Sequence, residues 1–396
     1  MTESTTLCKP SVTPLTHSHS RAGFAPGRAL RPNGKVLIEH ARHHNLALVL
    51  QAFFRSGRQS RADVARATGL TRVTVSDLVA VLIEQGLLVE LGLRQALRPG
   101  KPATILDINR SAFQIVGIDL SDNEVFRGAV LDVDGQIIAS SSLARHGSTG
   151  DDAANKVVEL TDALLRRASA PLLGVGIGAP GSVDLDGVVV TAPTLGWRGF
   201  PLQELVSATC DAPVTVANDA HIAALAEHTF GGVDGDFMLV RIEHRVCAAL
   251  VLGGSPVFGS NFAAGEIGHV VACVPGGKRC VCGRTGCLES HLAARNLWDA
   301  IARDDRPSSA VLAEAGECLG AALAPIVGAL NLPEIVLSGP SELIEGTLLD
   351  STIATVRDRT LAEFTDNLAV RTSSQGEDIV VRGAAVLVLC KQLGVS

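Results

Sequence analysis

No uninterrupted apolar run in this chain of 396 residues reaches the ~18 residues that span a membrane. The nearest stretch, around Ala321–Leu332, is broken by Gly and Pro, which argues against a membrane protein. The opening MTESTTLCKPSVTPLTHSHSR has no apolar core of the kind a secretory signal carries, so a cytoplasmic location is expected. A disulfide framework is missing too. Nine cysteines are an odd count, and Cys8, Cys210, Cys247, Cys318 and Cys390 lie scattered outside residues 265–289. That usage fits a reducing compartment with one metal cluster.

What is present is an Ala/Val/Gly-rich chain, 46% hydrophobic with 40 Gly, long enough for two to three domains and a large core. The net charge of −7 conceals an asymmetry. Residues 1–110 hold 15 Lys and Arg against 7 Asp and Glu, whereas the remainder holds 19 against 34. A basic head on an acidic body points to a polyanion met by the head, although a basic tail alone would give the same count.

Cys280, Cys282 and Cys287 form a Cys-x-Cys-x4-Cys cluster in a glycine-rich stretch, with His269 a short way upstream. Three thiolates and one imidazole make a closed tetrahedral shell for a structural Zn2+, with no open position for a reactive water. Gly277, Gly283 and Gly286 let the backbone fold tightly enough to aim the thiolates at one point.

Residues 1–38 are Ser/Thr/Pro/Arg-rich with little periodicity, and a disordered tail is expected there. Apolar residues at helical spacing in 45–55 predict a helix stopped by Gly57. Ser60, with Asp63 three residues on, predicts a capped second helix closed by Gly69. Thr71 predicts the cap of a third, with Val75, Leu78, Val79 and Leu82 buried and Gly86 at its end. Residues 89–108 read as a two-stranded wing with a basic tip at Arg98 and Lys101. Together, 39–110 form an expected winged helix-turn-helix. Such a domain would set Arg72, Val73, Thr74 and Ser76 in the major groove of double-stranded operator DNA, with Thr71 at the helix start among the DNA-binding residues. Ser60 and Arg61 would meet the backbone at a helix N-terminus, with Arg98 and Lys101 along the phosphates or in the minor groove. The same shape also serves as a protein-packing module.

Beyond residue 110 strands alternate with helices, predicting a first α/β lobe over 111–229 and a second over 230–396 that contains a metal loop at 265–289. Residues 114–140 read as two strands, 172–178 as a buried strand, and 378–394 as a strand followed by a helix. Asn218 and Asp219 fall where a strand ends and a helix begins. Polar groups at that edge bind ligands in open α/β sheets, but an Asn-Asp pair also caps helices.

GEIGH at 265–269 followed by CVCGRTGCLE at 280–289 resembles the ROK family, named for repressors, open reading frames and sugar kinases. SRADVARATGLTRVTVSDLVAVLIEQGLLVE is similar to the N-terminal domain of its repressors, and PVTVANDAHIAALAE matches its sugar-site strand and helix. The resemblance covers roughly 40–396. It implies a two-lobed actin-like, ribonuclease-H-like sugar-kinase fold, with zinc on His269, Cys280, Cys282 and Cys287. It also implies a sugar or sugar-phosphate effector on Asn218, Asp219, Glu266, His269 and Glu289. In the family's kinases Asp219 would take the proton of the hydroxyl being phosphorylated.

The chain departs from the kinases on the phosphate side. Their Asp-x-Gly-Gly-Thr reads Asp119-Leu120-Ser121-Asp122-Asn123 here, and their second glycine loop reads Ile242-Glu243-His244-Arg245-Val246-Cys247. Phosphoryl transfer rests on positioning and charge neutralisation, so losing both loops argues against an enzyme. Thr194 replaces a frequent Asn of the sugar side. The expectation is a sugar-responsive, nucleoid-associated transcriptional regulator, a repressor of carbohydrate genes, working as a homodimer or dimer of dimers. The alternatives are a hexose kinase with a fused DNA-binding head, or a regulator answering to a protein partner.

Overall fold

The computed structural model describes residues 38–93, 103–233, 235–272, 277–303 and 306–395. The expected tail therefore lies outside the described residues apart from its last position, and so does the wing tip with Arg98 and Lys101.

The N-terminal head contains α1 (Ile38–Ser56), β1 (Gln59–Ser60), α2 (Arg61–Thr68), α3 (Arg72–Glu84), β2 (Leu88–Leu93) and β3 (Thr104–Ile108). Local chemistry sets each boundary. Ser60 and Asp63 make a reciprocal capping box at the start of α2, and Gly69 ends it at φ 72, in the left-handed region. The Thr71 hydroxyl accepts the Thr74 amide at 3.1 Å and starts α3. Val75, Leu78, Val79 and Leu82 are buried, as their spacing predicts. β2 and β3 pair antiparallel, and β1 adds a third strand on the far side of β3.

The first lobe follows as β4 (Gln114–Asp119), β5 (Val125–Leu131), β6 (Ile137–Ala144), α4 (Gly150–Leu165), β7 (Leu172–Ala179), β8 (Ser182–Val183), β9 (Val189–Ala192), β10 (Trp197–Phe200), α5 (Leu202–Ser207), β11 (Val214–Asn218) and α6 (Asp219–Phe230). Residues 114–144 form three strands where two were expected, because the Ser121–Glu124 segment is a second reversal: Asp122 Oδ1 accepts the Glu124 and Val125 amides and turns the chain back. The second lobe has β12 (Phe237–Ile242), β13 (Val246–Leu252), β14 (Ser255–Pro256), α7 (Leu288–Leu292), α8 (Ala294–Arg303) and α9 (Ser308–Leu330). It continues with β15 (Glu334–Ser338), α10 (Ser341–Ile344), α11 (Thr347–Arg359), α12 (Ala362–Thr365), β16 (Ala369–Thr372) and α13 (Ile379–Leu393).

Each lobe holds a five-stranded mixed sheet, ordered β11-β7-β4-β5-β6 in the first and β14-β13-β12-β15-β16 in the second. In both, three strands run parallel and two antiparallel strands complete the sheet. The topology is thus repeated, with β4 and β12 in equivalent central positions.

Two expectations need correction. Residues 378–394 hold no strand: after a short 3-10 turn, α13 fills that span, and the last strand is β16 at 369–372. An apolar run of Val, Leu and Ala reads as strand or helix equally well until its neighbours are known. Nor does a division at residue 230 hold for α13, which packs on β4 and β7 of the first lobe. The glycine row of β7 makes room for it. A Cβ on Gly176 would run into the Ala384 carbonyl, and one on Gly174 or Gly178 into Val388 or Val380. Alternate strand residues thereby meet helix residues four apart. The far end of α13 joins the head's core, where Val388, Leu389, Leu393 and Val395 cluster with Leu46, Leu50 and Phe53 of α1.

Among the described helices, α9 is long and apolar enough to cross a membrane by length and composition, and half of its apolar window is buried. Leu319, Leu323 and Val327 lie in the second lobe's core, and Gly316 and Gly320 bring α9 close against α11.

Candidate functional site

The cleft between the lobes is a cavity of about 690 Å3, walled by Asp119, Asp122 and Arg127 on one side and by Arg241, Glu243 and Arg245 on the other. Strand β11 ends at Asn218 and α6 begins at Asp219, and Asp219 lines the cavity. The Asn218 side chain is fully engaged in shaping the backbone: Oδ1 accepts the His221 amide at 3.0 Å and caps α6, while Nδ2 donates to the Gly181 carbonyl at 2.6 Å. Asp219, 1% exposed, accepts Asn218 Nδ2 on Oδ1 at 3.1 Å. Its Oδ2 accepts Arg241 Nη1 at 3.1 Å and Arg245 Nη2 at 3.0 Å.

Arg241 and Arg245 were not among the expected site residues. The available signal was an arginine inside Phe237–Ile242, an otherwise apolar strand buried along its whole length. Such a charge needs a buried partner. Burial pushes the Asp119 carboxyl up, against the attraction of Arg241, and pushes the Glu243 and Glu266 carboxyls up as well. Beside Arg245 the Cys247 thiol is driven to about 12 by burial, with Asp219 adding to the effect.

Ion pairs bridge the lobes across the cleft mouth. Arg127 of β5 meets Glu377 at 2.6 Å, and His244 of the β12–β13 turn meets Asp122 at 3.4 Å. Burial works to raise Asp122, yet the hydrogen bond from His244 and the Glu124 amide hold it at about 2. The hydrogen bond to Asp122 raises His244 in turn.

His269, Cys280, Cys282 and Cys287 come together, with one ligand atom from each lying within 4.8 Å of the others. Cys280 turns back at Gly283, whose amide donates to its carbonyl at 2.9 Å, and short antiparallel bridges at Arg279–Thr285 and Val271–Cys287 close the loop. The Cys280 Sγ–His269 Nδ1 and Cys282 Sγ–Cys287 Sγ separations are 3.5 and 3.6 Å. These four residues could hold one four-coordinate metal ion. Glu289 lies alongside, accepting the Val246 amide at 3.4 Å, and Glu266 is close enough to Arg245, Asp219, His269 and Glu289 to feel their charges.

On the head, Thr71, Arg72, Val73 and Ser76 face solvent along the start of α3, with Val73 71% exposed, and Thr74 is half-buried against the Thr71 hydroxyl. Ser60 is buried in its capping box, and Arg61 is paired with Glu90 at 2.9 Å.

Two mixed α/β sheets of repeated topology, facing each other across a cleft with a strand-end Asn-Asp, define the sugar-kinase-like class of fold. The chain belongs to the ROK family, which matches residues 115–391. It is 30% identical over 313 residues to a glucokinase of Halalkalibacterium halodurans, covering 69% of this chain and 94% of the relative. It is 26% identical over 386 residues to a xylose repressor of Caldicellulosiruptor bescii, covering 88% and 96%. The fold is also that of a crystallised ROK family transcriptional regulator described as a homolog of the E. coli MLC protein. That match has a TM-score of 0.78 at 23% identity, over 90% of this chain and 98% of the other.

Proposed function

We propose that the chain is a sugar-responsive, DNA-binding transcriptional regulator of carbohydrate genes, acting as a repressor and without phosphoryl-transfer activity. The observation that carries this reading is the joining of a head with an exposed α3 face to a body whose Asp219 is held by Arg241 and Arg245. The likeness to the xylose repressor, which extends over the head, supports it.

The head is a winged helix-turn-helix. Thr71, Arg72, Val73, Thr74 and Ser76 enter the major groove of operator DNA, where Val73 offers an apolar contact for a thymine methyl. Arg61 meets the DNA backbone by exchanging Glu90 for phosphate, whereas Ser60, buried in its capping box, serves the start of α2 instead. His269, Cys280, Cys282 and Cys287 hold a structural zinc. Tetrahedral Zn–S bonds of ~2.3 Å place neighbouring sulfurs about 3.8 Å apart, near the observed 3.6 Å. Asp219, Glu266, His269 and Glu289 border the sugar, and Asn218 shapes that border through its cap. Sugar closes the cleft, the metal loop passes closure to a homodimer contact, and the two heads change their spacing on the operator. Such a protein works in the cytoplasm on the nucleoid.

The deciding experiment is operator binding by the metal-loaded protein, using DNA from its own promoter neighbourhood and a panel of sugars. Release or tightening by one sugar supports the reading. Binding that no sugar alters points to a protein partner, and absence of DNA binding overturns it. The glucokinase relative favours a second reading, a hexose kinase carrying a DNA-binding head. ATP-dependent phosphorylation of glucose by the purified protein would establish that one.

A further inference from the structure

Arg245 stands where the acids proposed to border the sugar converge. Its Nη2 donates to Asp219 Oδ2 at 3.0 Å, and its side chain is 20% exposed. The next residue, Val246, donates its amide to Glu289 at 3.4 Å. The Ala248 amide donates to the Gly265 carbonyl at 2.8 Å, one position before Glu266. Both glutamates therefore lie beside the start of β13, near enough for their charges to act on the Arg245 guanidinium. Three carboxylates share this one cation as a neighbour.

Arg245 is also the dispensable cation of its pair. Asp219, 1% exposed, needs a counter-charge, but Arg241 supplies one on the same oxygen at 3.1 Å, with its own side chain only 6% exposed. A carboxylate has roughly four lone-pair sites, and Asn218, Arg241 and Arg245 take three of those on Asp219. A guanidinium is all donor, and it is the donor side of a hydroxyl that a carboxylate accepts. Asp219 opens α6 of the first lobe and both arginines belong to the second, so these contacts tie the lobes directly. His244, the residue before Arg245, does the same to Asp122 at 3.4 Å.

We infer that Arg245 is a built-in competitor for the effector: it holds the face of Asp219 that a sugar hydroxyl needs, and a neutral sugar binds by displacing it. The inference rests on the sugar-sensor reading above and adds an internal occupant that sets the affinity of the site. Arg241 stays behind and keeps Asp219 compensated. The cavity lining holds more carboxylates than arginines, so the displaced guanidinium has other acids to move to. Because Arg245 and His244 share one turn, the displacement also pulls on the contact with Asp122, which links sugar occupancy to the ties between the lobes.

The test is calorimetric titration of full-length, metal-loaded protein with glucose, xylose and N-acetylglucosamine, in the native form and as Arg245→Ala and Arg245→Lys. Arg245→Ala should bind at least one of these sugars about tenfold or more tighter than the native protein, the scale of one hydrogen bond to a charged group. Removing a residue that merely contacts the sugar would do the reverse. Arg245→Lys keeps the cation and should gain less. Cooperative melting shows that each variant is folded, and Arg245→Ser replaces Arg245→Ala if that one is not. Native protein binding a sugar as tightly as Arg245→Ala, or tighter, would overturn the inference and leave the sugar sensor standing. An equal gain in Arg245→Lys would overturn competition for the carboxylate. Failure of every form to bind any of the sugars would remove both.

Discussion

Arg241 and Asp219 form an ion pair of 3.1 Å with side chains only 6% and 1% exposed, and Arg245 joins the same oxygen at 3.0 Å. Breaking a buried pair from one side strands the other charge away from water. Asp219→Ala leaves Arg241 uncompensated and should destabilise the protein by about 3–5 kcal/mol. Urea unfolding followed by circular dichroism measures this. Arg245→Gln should cost less, because Arg245 is partly exposed and Arg241 still neutralises Asp219. Equal losses from the two variants would contradict the ordering.

The contact between His244 and Asp122 makes cleft stability depend on pH. His244 has its folded pKa raised above the ordinary 6.5, so its contribution is fully present below 6.5 and is lost as pH rises through the raised value. Asp122 is lowered from 3.8 to about 2, so its contribution is present above 3.8 and is lost as pH falls through about 2. The pair is therefore whole between pH 3.8 and 6.5. Melting temperature should fall more steeply between pH 6.5 and 8.5 in the native protein than in His244→Gln. The difference should shrink at high salt, since His244 is 37% exposed. Parallel curves for the two proteins would remove the pair from the account.

Metal analysis should find one zinc per chain, reduced to a trace in Cys287→Ser. Cys287 is fully buried at the base of the loop. Without the ion, residues 265–289 should become sensitive to limited proteolysis, and the response of DNA binding to sugar should be lost with them. Operator affinity and sugar response unchanged in zinc-free protein would separate the metal from regulation.

Gly176→Ala tests how α13 lies on β7. The added methyl meets the Ala384 backbone, which cannot swing aside as a side-chain tip would. Overpacking of this kind costs about 1–3 kcal/mol, and more where only backbone can move. Gly328→Ala is the control, because nothing lies within 4 Å of its added atom. Thermal unfolding should separate the two clearly.

The features readable from sequence were those decided within a few residues. Ser60, Asp63, Gly69 and Thr71 set the boundaries of α2 and α3 through bonds spanning three or four positions. The Cys-x-Cys-x4-Cys spacing brought its thiols together for the same reason. Partner choice over distance was not readable. Asp219 meets arginines 22 and 26 residues away, contacts that exist only once the sheets of the two lobes face each other across the cleft. Asn218 displays the same limit differently. Its sequence neighbourhood fits a helix cap as well as a ligand contact, and in the structure its side-chain amide lies in the cap and on Gly181. The α13 run lacks alternation because it is buried on nearly every side, so periodicity could not separate helix from strand.

The C-terminal helix has a consequence for anyone building chimeras. Its last residues complete the core of a head whose own chain begins some 350 positions earlier, with Gly394 against Ala47 and Leu393 in the same apolar cluster as Phe53. A recombinant fragment ending near residue 110 would leave that face of α1 bare. Grafting a foreign head onto this body would bring two unrelated surfaces together at α13. Exchange of DNA specificity between such regulators therefore has to carry both ends of the gene, or be confined to the exposed face of α3.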